Sequence, residues 1–304
     1  MDYSYVPAMA GTLQDMAMIS RLPWWAKLCA KLLLARLPVP YSLWRKLKLF
    51  RHGEMNDPAR AIRTFENYYR HACEHADIQA GFTVLELGPG DSILSGLVAR
   101  SMGASRAWLV DAGAFADTDV AACHRTLDLL KQIGYADLSL GDAASVDEVL
   151  RRANVTYLTR GTASLADIPD ASIDFFWSQV VLEHVPYGEF LEFLRQLRRI
   201  VKSHGIGVHS VDFRDHLSNA LNNLRFSHVT WESQAFRNSG FYTNRIRPGA
   251  MLSLFKDAGF DVEVITETHW PEIPTPRAAM VAPFRELPAA ELSLAEYEVL
   301  LWPR

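Results

Sequence analysis

The chain is poor in cysteine: its 304 residues include only Cys29, Cys73 and Cys123. Three widely spaced cysteines make no C-x-x-C pair and no zinc pattern, so neither a disulfide framework nor a thiolate metal centre is expected. Long apolar runs are also missing. None approaches the ~20 residues that cross a bilayer. The first residues have no basic start followed by an apolar core, so a secretory signal is not expected. No internal repeat or low-complexity tract is present. A hydrophobic share of 49% with 22% charged residues suits a globular core at this length. The expectation is a protein of the reducing cytoplasm.

Acid is missing from one segment. Residues 20–51 hold eight of the chain's 31 basic residues and none of its 35 acidic ones: Arg21, Lys27, Lys31, Arg36, Arg45, Lys46, Lys48 and Arg51. Such segregation attracts anionic partners. Two readings stand: a helical cap whose lysines face water, or a peripheral contact with anionic membrane or a lipid-linked substrate. Nucleic acid is not expected, because the rest of the chain is acidic and no reader motif is present. Oligomeric state is not encoded in any visible pattern.

Residues 1–80 read as a helical N-terminal extension. Trp24, Trp25, Leu28, Cys29, Leu32 and Leu33 recur at helical spacing. Pro38 and Pro40 end that helix, and a second is expected over Pro58–His75. From Gly81 the pattern changes to an alternation. Strands are expected at 83–87, 107–110, 155–158, 173–177 and 205–211, with helices at 92–102, 121–133 and 189–201. This alternation predicts an α/β, doubly wound, mostly parallel sheet covered on both faces. Residues 212–245 break it and read as a substrate-side insertion within a domain spanning 81–304. A helix at 247–259 and strands at 261–266 and 297–302 close the chain.

Glu86-Leu-Gly88-Pro89-Gly90-Asp-Ser92 falls at the first strand-to-helix junction. Glycines there let the backbone approach a ligand. Asp111 ends the second strand, where a carboxylate can accept bonds from two ribose hydroxyls. A nicotinamide oxidoreductase would look similar, but its fingerprint needs a glycine where Ile93 stands, and it has no use for Glu86. An acid at that place suits a cationic ligand, such as the ammonium of a bound amino acid.

This stretch resembles motif I of the class I S-adenosylmethionine-dependent methyltransferases. Asp111, followed by Ala112, matches the family's acid after the second strand. Gly161-Thr162-Ala163 resembles its adenine loop. Ile173 to Ser178 with Val181-Leu-Glu-His184-Val resembles its fourth strand and the helix start beyond. The closing segments resemble its last helix and antiparallel pair. The resemblance covers roughly residues 80–304. It implies a Rossmann-like, seven-stranded sheet with an antiparallel last strand. It also implies S-adenosyl-L-methionine as cofactor, held by Glu86, Gly88, Pro89, Gly90, Asp111, Ala112, Thr162, Ala163 and Ser178. Thr162 stands where many relatives carry an acid, so a neutral acceptor is expected to hold the adenine amino group.

Methyl transfer from a sulfonium needs alignment and often removal of a proton. Histidine suits a hydroxyl acceptor near neutral pH. Candidate bases are His216, His184 and His209, in that order. Asp212 and Asp215 could orient them, with Asp212 and His216 sharing a face if the turn is helical. A metal site is not expected: metal-dependent relatives carry a glutamate where this chain has Val180. The insertion, with Asn222, Asn223, Arg225, Phe226, His228, Trp231, Phe236, Phe241, Tyr242 and Arg245, suits a polar acceptor such as a sugar. It suits equally a lid packed on itself. The leaning is towards O-methylation of a small or medium polar acceptor in glycan or secondary-metabolite biosynthesis. The alternatives are methylation of a lipid-linked acceptor and a membrane-associated cofactor binder without catalysis.

Overall fold

A computed structural model describes residues 23–34, 56–136 and 138–304. The chain divides into two compact units. Among the described residues, the larger holds 56–136, 138–213, Asn244–Ile273 and Pro288–Arg304. Among the described residues, the smaller is made of α1 (Trp24–Leu34) with Arg214–Thr243 and Pro274–Leu287.

The larger unit is built on seven strands: β1 (Thr83–Leu87), β2 (Arg106–Val110), β3 (Val155–Leu158), β4 (Ile173–Gln179), β5 (Val201–Asp212), β6 (Phe260–His269) and β7 (Leu294–Pro303). Their order is β3-β2-β1-β4-β5-β7-β6. The first five run parallel, and β7 is antiparallel to both its neighbours. This is the expected Rossmann-like sheet with its antiparallel closing strand. The strand order reverses at β1, which lies between β2 and β4. Ligands in such sheets bind beyond the carboxyl ends of the strands at that switch point.

Alternation along the strands sorts residues between two apolar layers. On one face Val84, Phe175, Trp177 and Val208 pack with α2 (Pro58–His75), α3 (Leu94–Ser101), α4 (Val120–Gln132) and α5 (Val146–Ala153). Phe65 of α2 stands edge-on to Phe175 and Trp177, at 6.1 and 6.0 Å between ring centroids. Leu85, Leu87, Phe176 and Val211 face the other way, against α6 (Phe190–Ile200) and α7 (Pro248–Asp257). Thus α2 belongs to the sheet unit, although the expected boundary at residue 80 separated them. Asp57 caps its first turn by accepting from the Arg60 amide, and Pro58 occupies a position that needs no amide donor.

In the smaller unit the insertion meets α1. Leu28 of α1 is buried with Leu217, Trp231, Phe241 and Tyr242, and Trp24, Leu32, Phe226 and Phe236 pack around them. Trp231 Nε1 donates to Thr243 O at 2.7 Å, which satisfies the indole inside this core. Of the two readings of the insertion's aromatic groups, a sugar-facing surface or a segment packed on itself, the packing is that of the second. Asn222 and Asn223 are buried too. On the opposite side of α1, Trp25 and Leu33 are exposed, so the apolar stripe read from the sequence is only half core. Lys31 is half-buried and donates to His216 O at 3.1 Å rather than facing water. Burial lowers its pKa, with Lys27 adding to the shift. Apart from Lys27 and Lys31, the basic residues of 20–51 lie outside the described residues, and the membrane reading lies there with them. No helix among the described residues is long and apolar enough to cross a membrane.

Candidate active site

The loop after β1 takes its shape from two left-handed glycines, Gly88 at φ +69° and Gly90 at φ +64°. A Cβ at Gly88 would also collide with the Val181 side chain, so this loop lies directly against the segment that follows β4. The Gly88 amide donates to Val110 O at 2.8 Å, tying the loop to the end of β2. At the start of α3 Ser92 accepts from the Leu94 amide at 3.1 Å, and Thr118 accepts from the Ile93 amide at 3.0 Å. Thr118 donates in turn to Asn56 Oδ1 at 2.7 Å. Asn56 and Thr118 brace the loop from distant parts of the chain, and no local pattern announces them.

Asp111 is the hinge of the site. Its carboxylate accepts from the Gly90 amide at 2.9 Å and from the Ala112 amide at 2.7 Å. Its carbonyl accepts from the Gly161 amide at 2.8 Å, and its own amide donates to Leu158 O at 2.8 Å. One residue thus joins the loops after β1, β2 and β3. The structure brings Gly88, Gly90, Asp111, Ala112 and the Gly161–Asp167 turn together, as expected. Thr162 and Ala163 lie on that turn and reach the surface. Tyr157 of β3 holds the loop after β2, accepting from the Phe115 amide at 3.1 Å and donating to Gly113 O at 3.1 Å. No local pattern around Tyr157 singles it out.

Glu86 is buried beneath this loop and accepts a bond from the Ser95 hydroxyl of α3. Burial, with the charge of Asp111 adding to it, pushes its carboxyl up to about 8, against the opposing Ser95 bond. At pH 7 the free protein therefore holds Glu86 mostly neutral, and an incoming cation would ionise it. The folded pKa lies above the unfolded value of 4.5, so native Glu86 binds a proton that the unfolded chain releases. Stability from this group is complete below about pH 4.5 and is lost as pH rises towards about 8. Glu86→Gln should therefore gain stability over wild type progressively across that window. Thermal midpoints of both proteins against pH check it; a constant difference would contradict the assignment.

Ser178 departs from expectation. It is fully buried on the α6 face, and its hydroxyl pairs with His209 Nδ1 at 2.7 Å on the adjoining strand. This removes the Ser178 side chain from the cofactor-binding set. It also removes His209 as a base: its ring is completely enclosed, and burial holds its pKa down at about 3. The helical turn expected to set Asp212 and His216 on one face is not there: Asp212 ends β5, and the residues after it form bends and a turn. Asp215 does not orient a histidine through its carboxylate. That group is buried and accepts from the Leu217 amide at 3.1 Å and from the Asn222 amide and Nδ2, the latter at 3.0 Å. It is a structural node of the smaller unit.

The chain leaves β4 through Val180, a β-branched residue at φ +55°. A non-glycine residue there costs about 1–3 kcal/mol and persists only where its surroundings enforce it. The next turn, Leu182–His184, is held by Asn244, whose amide donates to Glu183 O at 2.6 Å and whose Nδ2 donates to Leu182 O and Val185 O at 2.9 and 3.0 Å. This turn sends Glu183 inward and His184 outward. A ring nitrogen of His184 lies within 4.8 Å of a Glu183 carboxylate oxygen. Glu183 is buried, and neither of its oxygens has a hydrogen-bond partner. Desolvation, followed by the charge of Asp212, raises its carboxyl well above the usual range. The sequence pairs Glu183 with His184 but does not show that one is buried and the other exposed.

A family profile described as "Methyltransferase domain" matches residues 110–208. A search of curated proteins finds no match. Among solved structures, the YcgJ protein of Bacillus subtilis is 14% identical, over 81% of this chain and 99% of that one, with a TM-score of 0.43. An S-adenosylmethionine-dependent methyltransferase from Mesorhizobium loti is 16% identical, over 78% and 97%, with a TM-score of 0.41. Phosphoethanolamine N-methyltransferase 2 of Haemonchus contortus is 13% identical, over 80% and 53%, with a TM-score of 0.43.

Proposed function

We propose that this chain is a class I S-adenosylmethionine-dependent methyltransferase that transfers the cofactor's methyl group to an oxygen of a small or medium-sized polar acceptor. Glycan and secondary-metabolite biosynthesis supply acceptors of this kind. S-adenosyl-L-methionine brings an electrophilic methyl on a sulfonium, so the protein has to hold it, align the acceptor and take a proton. In this reading Asp111 accepts bonds from the ribose hydroxyls; a carboxylate can accept about four, so they can join the two amides already bound. Glu86 ionises to meet the ammonium of the cofactor. Gly88, Pro89, Gly90 and Ala112 let the backbone approach it, and Thr162 and Ala163 line the adenine side.

The observation that carries the oxygen reading is His184, exposed beyond the carboxyl end of β4 on the turn packed against the glycine loop through Val181. An alcohol is a poor nucleophile at neutral pH, and an exposed imidazole there can take its proton as the methyl moves. The insertion's aromatic groups lend no support, since they pack on themselves. The test is incubation with S-adenosyl-L-methionine carrying a labelled methyl and a panel of sugars, phenols and amino alcohols. Label recovered as a methyl ether supports the reading; label found only on nitrogen or carbon overturns it.

A further inference from the structure

We propose that Glu183 is the recognition group for a positively charged amine on the acceptor, at the place where β5 and β7 bring Asp212 and Glu296 into register. The inference rests on the methyltransferase reading and deepens it, because it names the acceptor as an amino alcohol or amino sugar.

Glu183 is only 2% exposed, and no donor bonds either carboxylate oxygen. A buried carboxyl in that condition forfeits the bonds that water gave it, so native proteins rarely keep one without a use. Its surroundings are acidic. Asp212 ends β5, and Glu296 is its cross-strand partner on β7. Tyr297, next on β7, is also enclosed, with a hydroxyl that has no partner, and the Phe213 ring stands edge-on to it at 4.7 Å. The nearby buried cation, Arg247, is committed elsewhere: it donates to Phe213 O at 3.1 Å, to Glu291 O and to Leu294 O. The backbone amides of Asp212 and Glu183 itself lean towards the carboxylate without completing a bond. Carboxylates thus crowd around two Glu183 oxygens that no donor bonds.

An alkylammonium supplies three N–H donors on a compact positive charge. Burial, with repulsion from Asp212 and Glu296, raises the Glu183 carboxyl well above its ordinary range and so favours its neutral form in the free protein. Binding then exchanges a proton for a cation: the Glu183 carboxylic acid and the substrate ammonium give a carboxylate–ammonium pair, and one proton leaves to solvent. The ammonium fixes the acceptor's orientation, and His184, within 4.8 Å of Glu183, faces a neighbouring hydroxyl.

Calorimetry on the full chain saturated with S-adenosylhomocysteine tests this at pH 7. Glucosamine and ethanolamine are compared with their N-acetyl forms and with magnesium ion, in two buffers of different ionisation enthalpy. The free amines should bind at least tenfold more tightly than the acetylated forms and release about one proton per site. Glu183→Gln keeps the side-chain volume and should abolish both the preference and the proton release, while S-adenosylhomocysteine affinity stays the same. Glu296→Gln should weaken the preference severalfold. Amines that bind no better than their acetyl forms, a preference that survives Glu183→Gln, or magnesium binding at Glu183 without amine binding would each overturn the proposal. If S-adenosylhomocysteine itself does not bind, the methyltransferase reading fails first, and the two failures are distinguishable.

Discussion

His184→Ala is expected to lower turnover by about 10²–10⁴-fold, the usual cost of losing a general base, while S-adenosylhomocysteine binds as in wild type. The histidine emerges from a turn fixed by Asn244 and by the strained Val180. The residue is exposed, so truncation leaves no cavity in the core. Deprotonation is required only as the hydroxyl attacks, so the loss should fall on kcat. His184→Gln, which can position a hydroxyl but cannot hold its proton, should be nearly as impaired as alanine. The alkaline limb of the pH profile gives a second readout: free hydroxide should partly restore the variant. Near-full turnover by both variants would show that alignment alone carries the reaction.

Asp111→Ala should weaken S-adenosylhomocysteine by about 1.5–3 kcal/mol, or roughly tenfold to 150-fold, if the lost bonds behave like other charge-assisted ones. Two effects add here. The ribose loses its acceptor, and the Gly90 and Ala112 amides lose the carboxylate that presently orders both loops. Asp111→Asn keeps one acceptor oxygen and should fall between wild type and alanine. Calorimetry on the three proteins reads the series directly. Equal affinities would remove Asp111 from the site.

Where one local rule dominates, the sequence is a reliable guide. Thr83–Leu87 and Val155–Leu158 are strands at the expected residues, because short β-branched or apolar runs beside glycine or helix caps have few alternatives. Gly88 and Gly90 could be read as a turn, and the left-handed φ values explain why glycine stands there. What the sequence conceals is set by distant packing. Val146–Ala153 is a helix capped by Ser145, in a stretch whose charges hid its apolar face. His209 looks like a base at a strand end, but its neighbours across the sheet enclose it. Asp215 and His216 look like a catalytic pair, yet Asp215 accepts from amides up to seven residues ahead. The union of α1 with the insertion and Pro274–Leu287 joins segments far apart in sequence, and no periodicity within one segment announces it.

Backbone hydrogen exchange with and without saturating S-adenosylhomocysteine tests the central claim most directly, because it reports both binding and its place. Ordering by the ligand should slow exchange at residues 86–92 after β1, at 111–117 after β2 and at 160–165 after β3, the three loops that Asp111 joins. Strands β6 and β7 should be unaffected. No slowing at saturating ligand, or slowing confined to segments away from these three loops, would contradict the account.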